Sequence, residues 1–192
     1  MIILASNSPR RKELLKEYLT SSFLIEPSDI YETIYQNDDP IKMCEATAKA
    51  KGQFVFQKHP DDLIISADTI VVINNQVLGK PKDHDEAIKM LSLLKGRTHQ
   101  VITSFYIVNK EKESLKSVIS EVTLKDVITS VIEEYIRLFP PYDKAGSYGI
   151  QDEYFKNNIL DKYEGSLTNI IGLPIEKITE VLREFSVISQ LF

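Results

Sequence analysis

Residues 63–78 read LIISADTIVVINNQVL. Leu63–Ser66 has the continuous apolar character of a buried strand. The run meets Asp68, resumes as Ile70–Ile73, breaks at Asn74-Asn75 and resumes as Gln76–Leu78. Asn tolerates the positive φ of a tight turn, so two of them between apolar runs predict a β-hairpin. With Asn74 and Asn75 as the loop, Ile73 pairs with Gln76, and the ladder extrapolates to Thr69 opposite Lys80. A hairpin among strands and helices predicts an α/β fold with a mixed central sheet flanked by helices, not strict βαβ repetition.

The same alternation of elements extends in both directions. Ile2–Ala5 predicts a buried strand, and Pro9 to about Leu19 a helix with Leu14, Leu15, Tyr18 and Leu19 as its apolar stripe. Residues 27–40, PSDIYETIYQNDDP, predict an acidic loop, and 41–57 a second helix with Cys44, Ala48 and Val55 inward. Asp83 to about Lys95 predicts a third helix, capped by the Asp83–Glu86 pattern and ended by Gly96. Gln100–Val108 and Leu115–Leu124 predict two strands joined by a polar turn. Ser130 and Glu133 predict another capped helix, and Pro174 opens a last one with Ile175, Ile178, Leu182 and Phe185 at core spacing. No repeat or linker divides the 192 residues, which predicts one domain, 1–192.

Hydrophobic content of 43% and charged content of 27% are those of a globular protein with a real core. The net charge of −5 argues against nucleic acid as a partner. No apolar run approaches the roughly 18 residues of a membrane span. The single cysteine, Cys44, forms no internal disulfide and suits a reducing, cytoplasmic location; it reads as a buried small hydrophobe. Of the three histidines, His59, His84 and His99, no pair has zinc-ligand spacing.

Against the acidic whole, SNSPRRK at residues 6–12 is a local exception. Ser8 suits an N-cap and Pro9 the first helical position. Arg10, Arg11 and Lys12 then sit where the helix dipole disfavours cations by about 0.3–1 kcal/mol each. The arrangement becomes useful when a polyanion binds there, because the open N–H groups and the dipole also point at it. There is no GxxxxGK[ST] run, so this is not a P-loop.

Asp68, within apolar neighbours, is expensive unless it is paired, hydrogen-bonded or ligating. The predicted hairpin brings Lys80 beside it in the backbone, with the side-chain direction left open by Gly79 and Pro81. An acid and an ammonium at a strand mouth suit phosphate chemistry: the acid can activate water or hold a divalent cation, and the ammonium can neutralise phosphate oxygens. In DKAGSYGIQ, residues 143–151, two glycines let backbone approach a ligand, and Gln151 offers both donor and acceptor. Asp29 and Glu32 in the acidic loop are further metal-ligand candidates, though each in isolation reads first as a solvated loop residue.

SNSPRRKELL, ATAKA, SADTIVV, LGKP, GRTHQVIT, DKAGSYGIQ and NIIGLP, taken in order, resemble the Maf family of nucleoside triphosphate pyrophosphatases over nearly the whole chain. The resemblance implies a cleft-bearing mixed α/β fold similar to the inosine triphosphate pyrophosphatases. It also implies hydrolysis of a nucleotide to the monophosphate and pyrophosphate with a divalent cation, Mg2+ or Mn2+. Family roles fall on Asp68 as the water-activating base and on Arg10, Thr69 and Gln151 as specificity positions. Phosphate contacts fall on Ser8, Arg11, Lys49, Lys80 and Lys144, and metal ligation on Glu32 with Asp68. Thr69 and the YGIQ run resemble the branch acting on dTTP and UTP; the 7-methyl-GTP branch carries Gln where this chain has Thr69. Departures are Phe139-Pro140-Pro141 before DKAG, Asp152 after Gln151, and Leu167 in place of an aromatic. A nucleotide-binding regulator of cell division, and a purine-preferring pyrophosphatase, are the alternative functions. The partner expected is the nucleotide, with room for a homodimer.

Overall fold

The hairpin forms in the expected register. In the computed structural model, Ile73 pairs with Gln76, Val72 with Val77 and Val71 with Leu78, and Asn74 and Asn75 take φ of 49° and 64°. The ladder stops at Leu78. The extrapolated Thr69–Lys80 pairing is not made, because the Gly79 carbonyl accepts instead from the Gly146 N–H at 3.1 Å and Pro81 has no N–H to offer.

The structure describes residues 1–19, 22–30 and 39–185. In chain order the elements are β1 (Ile2–Leu4), α1 (Pro9–Tyr18), β2 (Phe23–Ile25), α2 (Pro40–Phe56), β3 (Leu63–Ile73), β4 (Gln76–Leu78), α3 (His84–Leu94), β5 (Thr98–Val108), β6 (Glu113–Leu124) and α4 (Thr129–Leu138). A 3₁₀ turn (Ala145–Ser147) follows, then α5 (Glu153–Asn158), β7 (Leu160–Glu164), α6 (Leu167–Ile171) and α7 (Ile175–Glu184). The sheet runs β2-β1-β3-β5-β6-β7, with β4 on β3. β1 is parallel to both β2 and β3, whereas β3–β4 and β6–β7 are antiparallel. The sheet is therefore mixed, as the hairpin requires.

The chain divides into two compact units: Met1–Thr69, Thr103–Val118 and the residues from Leu167 make the first, Ile70–Ile102 and Ile119–Ser166 the second. Strand alternation builds the first. Ile2, Leu4, Leu63, Ile65, Phe105 and Ile107 turn to one side, onto Leu14 and Leu15 of α1 and Ile178, Val181 and Leu182 of α7. Ile3, Ile64, Tyr106 and Val108 turn to the other, onto Val55 of α2. Helix α2 sits close to the sheet because residue 52 is glycine; a Cβ there would come within 2.5 Å of Tyr106 and 2.6 Å of Ser66.

Three local expectations differ. Tyr18 is exposed, leaving Leu14, Leu15 and Leu19 as the buried face of the first helix. Helix α4 starts at Thr129 behind Ile128 with no side-chain cap bond, so the Ser130–Glu133 cap does not form. The reciprocal bond of the α3 box runs from the Lys82 N–H to Glu86, while Asp83 caps the Glu86 N–H.

Candidate active site

In the first unit, the polar turn after β1 delivers the basic helix start. Ser8 caps α1 by accepting from the Arg11 N–H. The Ser6 hydroxyl oxygen accepts from the Ser8 N–H at 3.2 Å and from Arg11 Nη1 at 3.3 Å. The Arg11 guanidinium is a clamp as well as a charge: Nε donates to the Gly172 carbonyl at 2.8 Å and Nη2 to Thr69 Oγ1 at 3.0 Å. Gly172 reaches this position with φ of 126°, a region that side-chain-bearing residues avoid. Arg10 is half-buried and Lys12 exposed.

Strand alternation separates the next two side chains. Like Ile64 and Ser66, Asp68 turns toward α2, and its Oδ1 accepts from Lys51 Nζ at 2.8 Å. Their side chains are 15% and 10% exposed. The Cys44 thiol donates to the Asp68 carbonyl at 3.3 Å. Burial, and then the Asp68 charge, push that thiol up to about 12, so it stays protonated and is no nucleophile. Thr69 turns the other way and meets Arg11, with Thr103 Oγ1 at 2.9 Å and the Gly172 carbonyl at 3.4 Å. Thr103 in turn donates to the Asn169 carbonyl at 3.0 Å.

Lys49, expected at the phosphates, bonds Glu113 of β6 at 2.7 Å, and it lies 5.5 Å from the Tyr106 ring centroid. The Lys49 bond, followed by that from the Tyr106 hydroxyl, holds the Glu113 carboxyl below the usual range. The lysine beside the acid is Lys51. Helical phase carries the signal: Cys44, Ala48, Lys51 and Val55 recur at 4, 3 and 4 residues and are all buried, while Lys49 falls about 200° from Lys51 around the helix. Thr103 and Gly172 were also missed, since their contacts with Thr69 and Arg11 are made across long stretches of chain.

The second unit holds Lys80, Lys144 and Gln151. Lys80 is exposed beyond β4. Lys144 pairs with Asp143 at 3.0 Å, its side chain 14% exposed. Gln151 is exposed on a turn with a firm base: the Gly149 N–H donates to the Tyr135 hydroxyl at 2.9 Å, and that hydroxyl donates to Asp152 Oδ2 at 2.7 Å. The departure at Asp152 thus has a structural partner. Tyr148 stacks on Phe155 at 4.4 Å between centroids, and its hydroxyl bonds His99 Nε2 at 2.7 Å. Burial holds the His99 imidazole down at about 4. Glu32 lies outside the described residues; Asp29 is exposed.

Among the described residues no group of three or more His, Cys, Asp or Glu could hold a metal. The donor set around Asp68, one carboxylate with an ammonium on it, fits a magnesium ion shared with substrate phosphates and not one caged by protein alone.

Fold and site define a mixed α/β protein with a lysine-held acid and an arginine-clamped threonine on adjacent residues of one strand. The chain belongs to the Maf family: the family model described as Maf-like protein matches residues 1–185. It is 40% identical to a dTTP/UTP pyrophosphatase of Acholeplasma laidlawii over 192 residues, all of both chains. It is 40% identical to those of Pyrococcus furiosus (94% of this chain, 93% of the relative) and Clostridioides difficile (96% and 94%). In fold it is similar to a HAM1 protein from Coxiella burnetii, with a TM-score of 0.53 at 15% identity over 95% of this chain and 98% of that one.

Proposed function

We propose that the protein hydrolyses nucleoside triphosphates, dTTP and UTP foremost, to the monophosphate and pyrophosphate, with Asp68 taking the proton from the attacking water. The observation that carries this is the Asp68–Lys51 pair, a charged acid inside an apolar strand with its cation 2.8 Å away. It stands in a chain 40% identical to named dTTP/UTP pyrophosphatases along its length. An acid so placed has an energetic cost that structure alone does not require, and a fixed carboxylate is what general-base catalysis needs.

Each step then falls to a named group. Lys51 orients the carboxylate through Oδ1. The first turn of α1 and Arg10 meet negative phosphate oxygens with open N–H groups and positive charge. Thr69, held by Arg11, reads the base. For Lys80 and Lys144 toward phosphate, Gln151 toward the base and Glu32 toward metal, the support is the match to GKP, DKAGSYGIQ and the acidic loop. A divalent cation, Mg2+ or Mn2+, held by Asp68 together with phosphate oxygens, would supply charge neutralisation at the scissile anhydride. On this reading the enzyme works on free nucleotides in the cytoplasm; no described helix is long and apolar enough to cross a membrane.

Product analysis tests the reaction. With dTTP or UTP and Mg2+, phosphorus NMR should show equal amounts of monophosphate and pyrophosphate. A diphosphate with orthophosphate would reject the assignment.

A further inference from the structure

We infer that Thr103 is a specificity-positioning residue: it fixes the Thr69 hydroxyl proton, so that Thr69 offers a nucleotide base only an acceptor. The inference rests on the reading that Thr69 meets the base. The argument is a count of protons along one hydrogen-bond chain. A threonine hydroxyl has one proton and two lone pairs. Thr103 is fully buried, and its Oγ1 lies 3.0 Å from the Asn169 carbonyl, which can only accept. The Thr103 proton is therefore committed to Asn169. Thr103 Oγ1 also lies 2.9 Å from Thr69 Oγ1, a separation that needs a proton between the two oxygens. Only Thr69 can supply it. On its other side Thr69 accepts from Arg11 Nη2 at 3.0 Å. The Gly172 carbonyl, at 3.4 Å, is the more distant acceptor for the same proton.

The chain thus has one direction: Arg11 to Thr69, Thr69 to Thr103, Thr103 to Asn169. Half-buried Thr69 has spent its proton and one lone pair inside the protein, and its second lone pair is what a ligand meets. Such a group selects a donor. On the pairing edge of uracil and thymine the one donor is N3–H, flanked by two carbonyl oxygens. Cytosine has a bare N3 acceptor at the same place, so two lone pairs would face each other. Rejection of a base by a mismatched buried polar group is the strong form of discrimination, whereas shape alone gives much less. The relay therefore supplies a physical reason for the uracil and thymine nucleotides of the proposed function.

The test compares kcat/KM for UTP and CTP in the wild type, Thr103→Val and Thr103→Ser. In the valine variant the Thr69 proton keeps only the distant Gly172 carbonyl, at 3.4 Å, inside the protein and can turn to donate to the cytosine N3. The UTP/CTP ratio should fall by roughly two- to tenfold, the equivalent of one hydrogen bond, and serine should restore it. If the valine variant does not fold, Thr103→Cys replaces it, keeping a weak donor for Asn169 and a poor acceptor for Thr69. An unchanged ratio, including a parallel loss for both substrates, would overturn the role of Thr103 while leaving Thr69 at the base. A wild type that treats UTP and CTP alike would overturn the parent reading of Thr69, and this proposal with it.

Discussion

Replacing Lys51 by Met separates the two lysines that the ATAKAK run presents. Met keeps the length and apolar stem and removes the charge. At 2.8 Å and an effective dielectric of about 20, the Lys51–Asp68 attraction is about 6 kcal/mol before desolvation is subtracted. Removing one partner of a buried pair typically costs about 3–5 kcal/mol, because the other charge is left uncompensated. Asp68 keeps 15% of its side chain in contact with solvent, which places the expected loss near the low end, about 3 kcal/mol. Lys49→Met is the control. Its pair with Glu113 is 35% and 50% exposed, so its loss should be about 1 kcal/mol or less. Urea unfolding followed by circular dichroism reads both, and Asp68→Asn in each background closes a double-mutant cycle that isolates the pair. The Lys51 variant should also lose at least about tenfold in kcat/KM, since even small misplacement of a reacting group is costly. If Lys49→Met proves as damaging as Lys51→Met in stability and turnover, the placement of the acid's partner is wrong.

Asp68→Asn alone should abolish turnover while nucleotide binding, measured by calorimetry, stays largely intact; retained turnover would remove Asp68 from the chemistry. His99 gives a pH dependence of stability. Its folded value of about 4 lies below the ordinary 6.5, and its Nδ1 has no partner among the described residues to receive a second N–H. The unfolded chain therefore binds a proton that the folded one does not. The stability is present above pH 6.5 and drains away as pH falls toward 4, by about 3 kcal/mol in full. In His99→Asn that loss disappears, so the gap between the urea midpoints of the two proteins should narrow from pH 7 to pH 4; a constant gap would contradict it.

What could be read in advance was local. The hairpin register followed from two Asn between apolar runs, and α3 followed from its cap, its stripe and Gly96. Cys44 as a buried core residue followed from its being a lone cysteine with no charge relay in MCEATAK. The elements not anticipated, β2, α5, β7 and α6, span 3, 6, 5 and 5 residues, too short for periodicity to register. At the candidate site, local sequence context singled out Asp68 and the basic helix start, but the choice between Lys49 and Lys51 as the partner of Asp68 needed the phase of α2 against the sheet. Arg11 reads as a phosphate ligand in sequence because its carbonyl partner, Gly172, is 161 residues away.

That span has a consequence for synthesis. During translation, Arg11 and Thr103 leave the ribosome before the carbonyls of Gly172 and Asn169 exist to receive their protons. Until then the guanidinium and the threonine pair have only water for those bonds, and the direction of the relay is unset. A polypeptide ending short of residue 172 would thus carry the acids and bases of the proposed chemistry without the carbonyls that orient the Arg11–Thr69–Thr103 chain. The carbonyls of the relay and the α7 side of the first unit's core are both supplied by residues 169–185.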